Sequence, residues 1–97
     1  MKPGTRLKSV VCDAEVIVVR SDGVAVPECG GKPMAGERPA ELGATDPAFS
    51  GGATTGKRYV DATGAVELLC VRAGKGSLAI GGVALQQKEA KALPSSD

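Results

Sequence analysis

The residues of this chain best equipped for chemistry are its cysteines, Cys12, Cys29 and Cys70. Cys12 closes the stretch Ser9-Val10-Val11-Cys12, and Cys29 opens Cys29-Gly30-Gly31-Lys32-Pro33-Met34. Thiolates are soft metal ligands and strong nucleophiles. A Cys-x-x-Cys turn aims two sulfurs at one ion, and a following glycine lets the backbone bend around it. Together the two stretches read as a metal knuckle with half of a tetrahedral donor set, Cys12 and Cys29. Zinc accepts three protein ligands and an open position. Glu28 or Cys70 could therefore complete a site for zinc or iron. Two other readings stay open: buried thiols acting as small apolar residues, or a disulfide or redox dithiol between Cys12 and Cys29.

The remaining chemistry is sparse. The chain has no His, which removes the commonest general base and the Ser-His and Cys-His nucleophile pairs. Asp13, Glu15 and Asp61 read as solvated acids near strand ends. Gly51-Gly52-Ala53-Thr54-Thr55-Gly56-Lys57-Arg58 nearly spells a phosphate loop. Arg58 stands where the magnesium-binding hydroxyl belongs, and a strand-like rather than helical segment follows. A Gly/Thr linker is the better reading. These features predict a protein that is not an enzyme.

Composition bounds the partners and the compartment. Twelve basic and eleven acidic residues leave a net charge of +1. No basic block or aromatic-studded basic face argues for nucleic acid. No apolar run is long enough to span a membrane. Met1-Lys2-Pro3-Gly4 opens no apolar stretch, which predicts no signal peptide. An odd cysteine count does not suit a secreted disulfide framework, so a cytoplasmic setting is expected.

The elements that must position the thiols are short strands. Fourteen glycines and six prolines among 97 residues predict many turns. A first β unit spans 5–34, with strands at Thr5 to Cys12 and Glu15-Val16-Ile17-Val18-Val19-Arg20. A turn at Ser21-Asp22-Gly23 leads to a return arm, Val24-Ala25-Val26. Residues 35–56 form a Gly/Pro-rich connector, with one helical turn at Pro39-Ala40-Glu41-Leu42. A second β unit spans 57–85, with strands at Lys57 to Asp61, Ala65 to Val71, Ser77 to Ile80 and Val83 to Leu85. The polar tail, 86–97, contains a short helical stretch at Lys88 to Leu93 and frays beyond it. Phe49 and Tyr59 are the sole aromatics. So lean a core calls for a metal, a disulfide or a partner.

Residues 5–34 resemble desulforedoxin, the small iron-binding module also found at the N-terminus of some superoxide reductases. Lys8-Ser9-Val10-Val11-Cys12 occupies the place of that family's Lys-Cys-x-x-Cys turn. Cys29-Gly30-Gly31-Lys32-Pro33-Met34 occupies the place of its Cys-Cys-Gly-x-x-Met ending. On this alignment Ser9 and Gly30 replace two ligands and Cys12 and Cys29 remain, so the family's iron-tetrathiolate centre cannot form. The second unit matches as a more eroded repeat. Leu68-Leu69-Cys70 answers Val10-Val11-Cys12, and Ile80-Gly81-Gly82-Val83-Ala84-Leu85 answers the Cys29 stretch. That puts Glu67, Cys70, Ile80 and Gly81 at the ligand places. The resemblance implies a mostly β fold of two small desulforedoxin-like hairpin lobes packed as a pseudo-dimer. Two functions follow as alternatives: a small protein binding one zinc or iron ion through Cys12 and Cys29, or a metal-free accessory module. Either would work with a protein partner, a second copy or a larger enzyme.

Overall fold

The computed structural model describes residues 2–21 and 26–88. Among the described residues, nine short strands form two antiparallel sheets, and the fold is mostly β. Strands β1 (Arg6–Lys8), β2 (Glu15–Arg20), β5 (Arg58–Val60), β6 (Glu67–Arg72) and β9 (Gln86–Lys88) make the first sheet, in the order β1-β2-β6-β5-β9. Strands β3 (Glu28–Cys29), β4 (Lys32–Pro33), β7 (Leu78–Ile80) and β8 (Val83–Ala84) make the second, in the order β4-β3-β7-β8. The two long strands carry the core. Val16 and Val18 of β2, with Leu68 and Cys70 of β6, alternate inward and are buried, as a period-two pattern requires. Met34, Tyr59, Val66 and Leu78 fill the remaining space.

Apart from the outer strand β9, the strand orders are palindromic, and the register shows why. Ile17 pairs Leu69 across the centre of the first sheet. Glu15 faces Arg72 on one side of that centre, and Arg20 faces Glu67 on the other. Each long strand bulges at the matching place. In the second sheet Glu28 pairs Ala79 at the centre. Thus β1 answers β5, β2 answers β6, β3 answers β7 and β4 answers β8 about a pseudo-two-fold axis. Smaller features repeat too. The Met34 N–H donates to the Pro27 carbonyl and Leu85 N–H to that of Leu78, both at 2.9 Å. The Lys8–Ala35 bridge answers the pairing of Val60 with Gln86.

The two halves pack as a pseudo-dimer by exchange, since every sheet draws strands from both. A two- or three-stranded lobe leaves one face and one edge unsatisfied, and exchanging strands across the axis covers both. Several expectations are corrected. The repeat register moves. Glu67-Leu68-Leu69-Cys70 answers Glu15-Val16-Ile17-Val18, so Cys70 is a core strand residue and not a knuckle ligand. The knuckle Ser9-Val10-Val11-Cys12 is answered by Asp61-Ala62-Thr63-Gly64, and the repeat's ligand places become Asp61, Gly64, Ile80 and Gly81. Pro39 to Leu42 form no helical turn; one 3₁₀ turn occurs instead at Pro47–Phe49, capped by Asp46. The first residues of the polar tail, Gln86–Lys88, form β9 on β5. The Asp22-Gly23 turn, most of the return arm after it and the tail beyond Lys88 lie outside the described residues, as does the expected helical stretch there. Among the described residues, no helix is long and apolar enough to cross a membrane.

Candidate functional site: a buried thiol pair under a glycine roof

Ser9 builds the turn that positions Cys12. Its N–H donates to the Ala14 carbonyl at 2.9 Å, closing the loop between β1 and β2. Its hydroxyl oxygen accepts from the Val11 and Cys12 N–H groups, each at 3.1 Å. Ser9 is fully buried, so these bonds replace water that the turn amides cannot reach. Asp61 does the same in the other half, its Oδ1 accepting from Val66 N–H at 3.2 Å. Strand β3 delivers Cys29 from the second sheet. The outcome is a contact between sulfurs distant in sequence: Cys12 Sγ lies 3.7 Å from Cys29 Sγ and 3.3 Å from Ser9 Oγ.

Other segments enclose the pair. The loop Gly74-Lys75-Gly76 from the second half is its roof. A β-carbon on Gly74 would stand 2.8 Å from Cys12 Sγ, and one on Gly76 would stand 3.0 Å from Cys29 Sγ. Only glycine allows this approach. Reciprocal hydrogen bonds between Gly74 and Ala53, at 2.9 and 3.2 Å, pin the roof to the connector. The connector also straps the knuckle itself. Gly43 N–H donates to the Val10 carbonyl at 2.9 Å, Asp46 N–H to that of Gly30 at 2.9 Å, and Thr45 Oγ1 to that of Val11 at 3.3 Å. Arg38 donates to the carbonyls of Asp13 and Ala14 at 2.8 and 3.3 Å.

The two thiols are electrostatically unequal. Burial pushes Cys12 up, but hydrogen bonds from Ser9 and from the Ala14 and Gly76 backbone, with a further one from Cys29, more than offset it. The net direction is down. Burial pushes Cys29 up to about 12; the Ser9 hydroxyl opposes this, and the charge and hydrogen bonding of Cys12 add to it. The Cys29 thiol donates to the Gly76 carbonyl at 3.4 Å. Cys70 is raised, first by burial, then by the Cys12 charge, despite its hydrogen bond to the Arg72 carbonyl at 3.2 Å. Access is unequal as well. A cleft of about 470 Å³ is lined by Val11, Cys12, Asp13, Leu42, Gly43 and Lys75. Cys29 is fully buried and does not line it.

This donor set does not fit a tetrathiolate ion. Ser9 Oγ is already committed to two backbone donors. Gly30 sits at φ +65°, and a β-carbon there would meet Val11 Cγ2 at 2.5 Å. A Val11 methyl group thus packs where a side chain at position 30 would begin. Glu28, one residue from Cys29 on the same strand, accepts from Gly82 N–H at 3.1 Å instead of turning to the sulfurs. Among the described residues, no three Cys, Asp or Glu side chains converge in a way that could hold a metal ion. The Lys57 loop leads into β5 and not into a helix, so it makes no phosphate cradle.

The structure therefore brings Cys12 and Cys29 together, keeps Cys70 near them in the core, and turns Glu28 away. Sequence reasoning missed Val11 as the filler, Gly74 and Gly76 as the roof, and Leu42, Gly43 and Lys75 at the cleft. The closely spaced glycines of Gly74-Lys75-Gly76 were the available signal, since two so close can mark a backbone pressed against other atoms. No family model, curated protein or solved structure matches this chain.

Proposed function

We propose that this chain is a metal-free, non-enzymatic β module, desulforedoxin-like in its knuckle, that acts through contact with a protein partner. One observation supports the reading: a β-carbon at Gly30 would meet Val11 Cγ2 at 2.5 Å, so the packing around position 30 leaves no room for a ligating side chain. Packing has taken over what an ion does in the family it resembles. Hydrocarbon packed there and a hydroxyl saturated by backbone donors both stabilise the knuckle without a metal.

The strand edges support a partner. Among the described residues β4 and β8 are the outer strands of the second sheet. Pro33 removes an N–H from β4, which blunts that edge. The equivalent edge, β8, has no proline and exposes Val83 at 67%. An extended segment from a larger enzyme or a second copy would add there by strand pairing.

The test is metal content of protein purified without a metal-affinity tag, with thermal unfolding measured with and without chelator. We expect well under one equivalent of zinc or iron and a chelator-insensitive transition. A second reading rests on the sulfur separation, which is close to the edge of a zinc–thiolate tetrahedron, about 3.8 Å for bonds of about 2.3 Å. One equivalent of metal, lost in Cys12→Ser, would establish that reading and overturn the first.

A further inference from the structure

We propose that Cys12 and Cys29 form a reversible dithiol–disulfide pair, oxidised by a low-molecular-weight disulfide that enters through the cleft over Cys12. The proposal rests on the metal-free reading, since an ion bridging the sulfurs would occupy the bond that has to form. Two structural observations carry it. The sulfurs are in contact at 3.7 Å, each buried, at the meeting of a knuckle from one sheet and a strand from the other. Only one of them borders the cleft. Their roles follow from that asymmetry. Cys12 meets the incoming disulfide and Cys29 waits behind it.

The chemistry balances in two exchanges. The Cys12 thiolate attacks one sulfur of the small disulfide, breaking its S–S bond and forming a mixed disulfide; the departing thiolate takes up a proton. Cys29 then gives up its proton to solvent and attacks Cys12 Sγ, forming the intramolecular bond and expelling the second small thiolate, which is protonated in turn. The protein loses two hydrogens and the small disulfide becomes two thiols. The first exchange also prepares the second. Once Cys12 is bonded to sulfur it carries no charge, so its contribution to holding Cys29 protonated disappears. Lys75 and Asp13 both line the cleft, so the entry path carries balanced charge. Cys70 lies nearby but takes its hydrogen bond to the Arg72 carbonyl within its own strand, and it does not border the cleft.

The experiment uses the full chain, freed of any metal by chelator, in buffers of graded reduced and oxidised glutathione near neutral pH. Thiols are quenched by alkylation, and intact mass and peptide maps are read. We expect a species lighter by two hydrogens, a Cys12–Cys29 cross-linked peptide with Cys70 alkylated, and reversal by dithiothreitol. Cys70→Ser leaves this unchanged, and Cys29→Ser accumulates one glutathione on Cys12. A cross-link that includes Cys70, a glutathione adduct that persists on Cys12 in the unsubstituted chain, or thiols that stay reduced throughout while the protein remains folded would each overturn the pair. The unsubstituted chain and Cys70→Ser decide the matter even if other variants unfold. Metal analysis before chelation is scored separately. Bound zinc there sinks the metal-free reading, whereas failure to oxidise after chelation sinks the pair alone.

Discussion

Ser9 shows how one buried side chain can hold a tight turn. Its buried hydroxyl accepts from two backbone donors. Ser9→Ala leaves both without a partner, and the cost of an unsatisfied buried donor is about 1–3 kcal/mol. Urea unfolding of Ser9→Ala should show a loss in that range. A variant as stable as the parent would mean that other groups close the turn. Cys29 predicts an alkaline effect at the same scale. Its folded pKa, about 12, lies above the unfolded thiol value, near 8.5. Its neutral form is therefore favoured by folding. That contribution is fully present below about pH 8.5 and is lost as pH rises toward the folded value. The urea midpoint should fall steadily above about pH 9, and less so in Cys29→Ala compared with its own neutral-pH value.

At the scale of elements, the paired glycine turns offer an internal control. Gly30-Gly31 joins β3 to β4 and Gly81-Gly82 joins β7 to β8, all four at positive φ, as a two-residue primed hairpin turn requires. Gly30 and Gly81 have nearly equal φ, +65° and +59°, but unlike surroundings. A β-carbon at Gly30 strikes Val11, and one at Gly81 meets nothing within 4 Å. Alanine at either position incurs left-handed strain of about 1–2 kcal/mol. Gly30→Ala adds overpacking of about 1–3 kcal/mol. Gly30→Ala should therefore be clearly the less stable in denaturant melts, and equal melts would show that the Val11 corner is slack. A Ser9→Cys, Gly30→Cys double substitution should not recover a stable iron centre for the same reason, checked by the absence of an iron–thiolate absorption band.

The long strands β2 and β6 begin with matched acids. Glu15 lies within 3.3–3.7 Å of Arg38, Arg72 and Arg6, and Glu67 within 3.2 Å of Arg58 and Lys88. Burial pushes both carboxyls up. Hydrogen bonds and nearby positive charge, Arg38 first for Glu15 and Lys88 first for Glu67, outweigh it, and both end below the usual carboxylate range. Their contribution to stability is thus present above the unfolded value, about pH 4.3, and is lost as pH falls through the lowered folded values. The urea midpoint should drop between about pH 5 and about pH 3, with a shallower drop in a Glu15→Gln, Glu67→Gln double variant.

For the whole molecule, strand exchange across the axis makes the halves interdependent. β2 and β6 share the central pairing of the first sheet, and β3 and β7 that of the second. A fragment ending before the 3₁₀ turn, or one beginning after it, has half of each sheet and exposes the apolar faces of Val16, Val18, Leu68 and Cys70. Neither should fold as a monomer, a point that circular dichroism with sedimentation velocity can check; a cooperative thermal transition from a monomeric half would refute the shared-sheet account. Leu68, the largest of the fully buried side chains, is the matching core probe. Leu68→Ala should cost about 2–5 kcal/mol and unfold both sheets together.

What the sequence determined was local. Strand propensity of Glu15-Val16-Ile17-Val18-Val19-Arg20, the Gly-Gly turns and the apolar-poor connector gave the mostly β class and the approximate places of most described strands, because these depend on backbone preference and period alone. The strand expected over Thr5 to Cys12 stops at Lys8, and the turn closed by Ser9 takes its place. The register of the repeat was not legible. Matching by cysteine put Cys70 on a knuckle, while matching by Glu15 and Glu67 aligns β1 to β4 with β5 to β8, and only pairing across an axis reveals that the acids are the equivalent residues. Nor did the linear pattern show which strands join which sheet, that Gly74 and Gly76 would close over thiols from the other half, or that Val11 would pack against Gly30. Those are contacts between residues far apart in the chain, fixed by how two half-sheets bury each other, and no local preference encodes them.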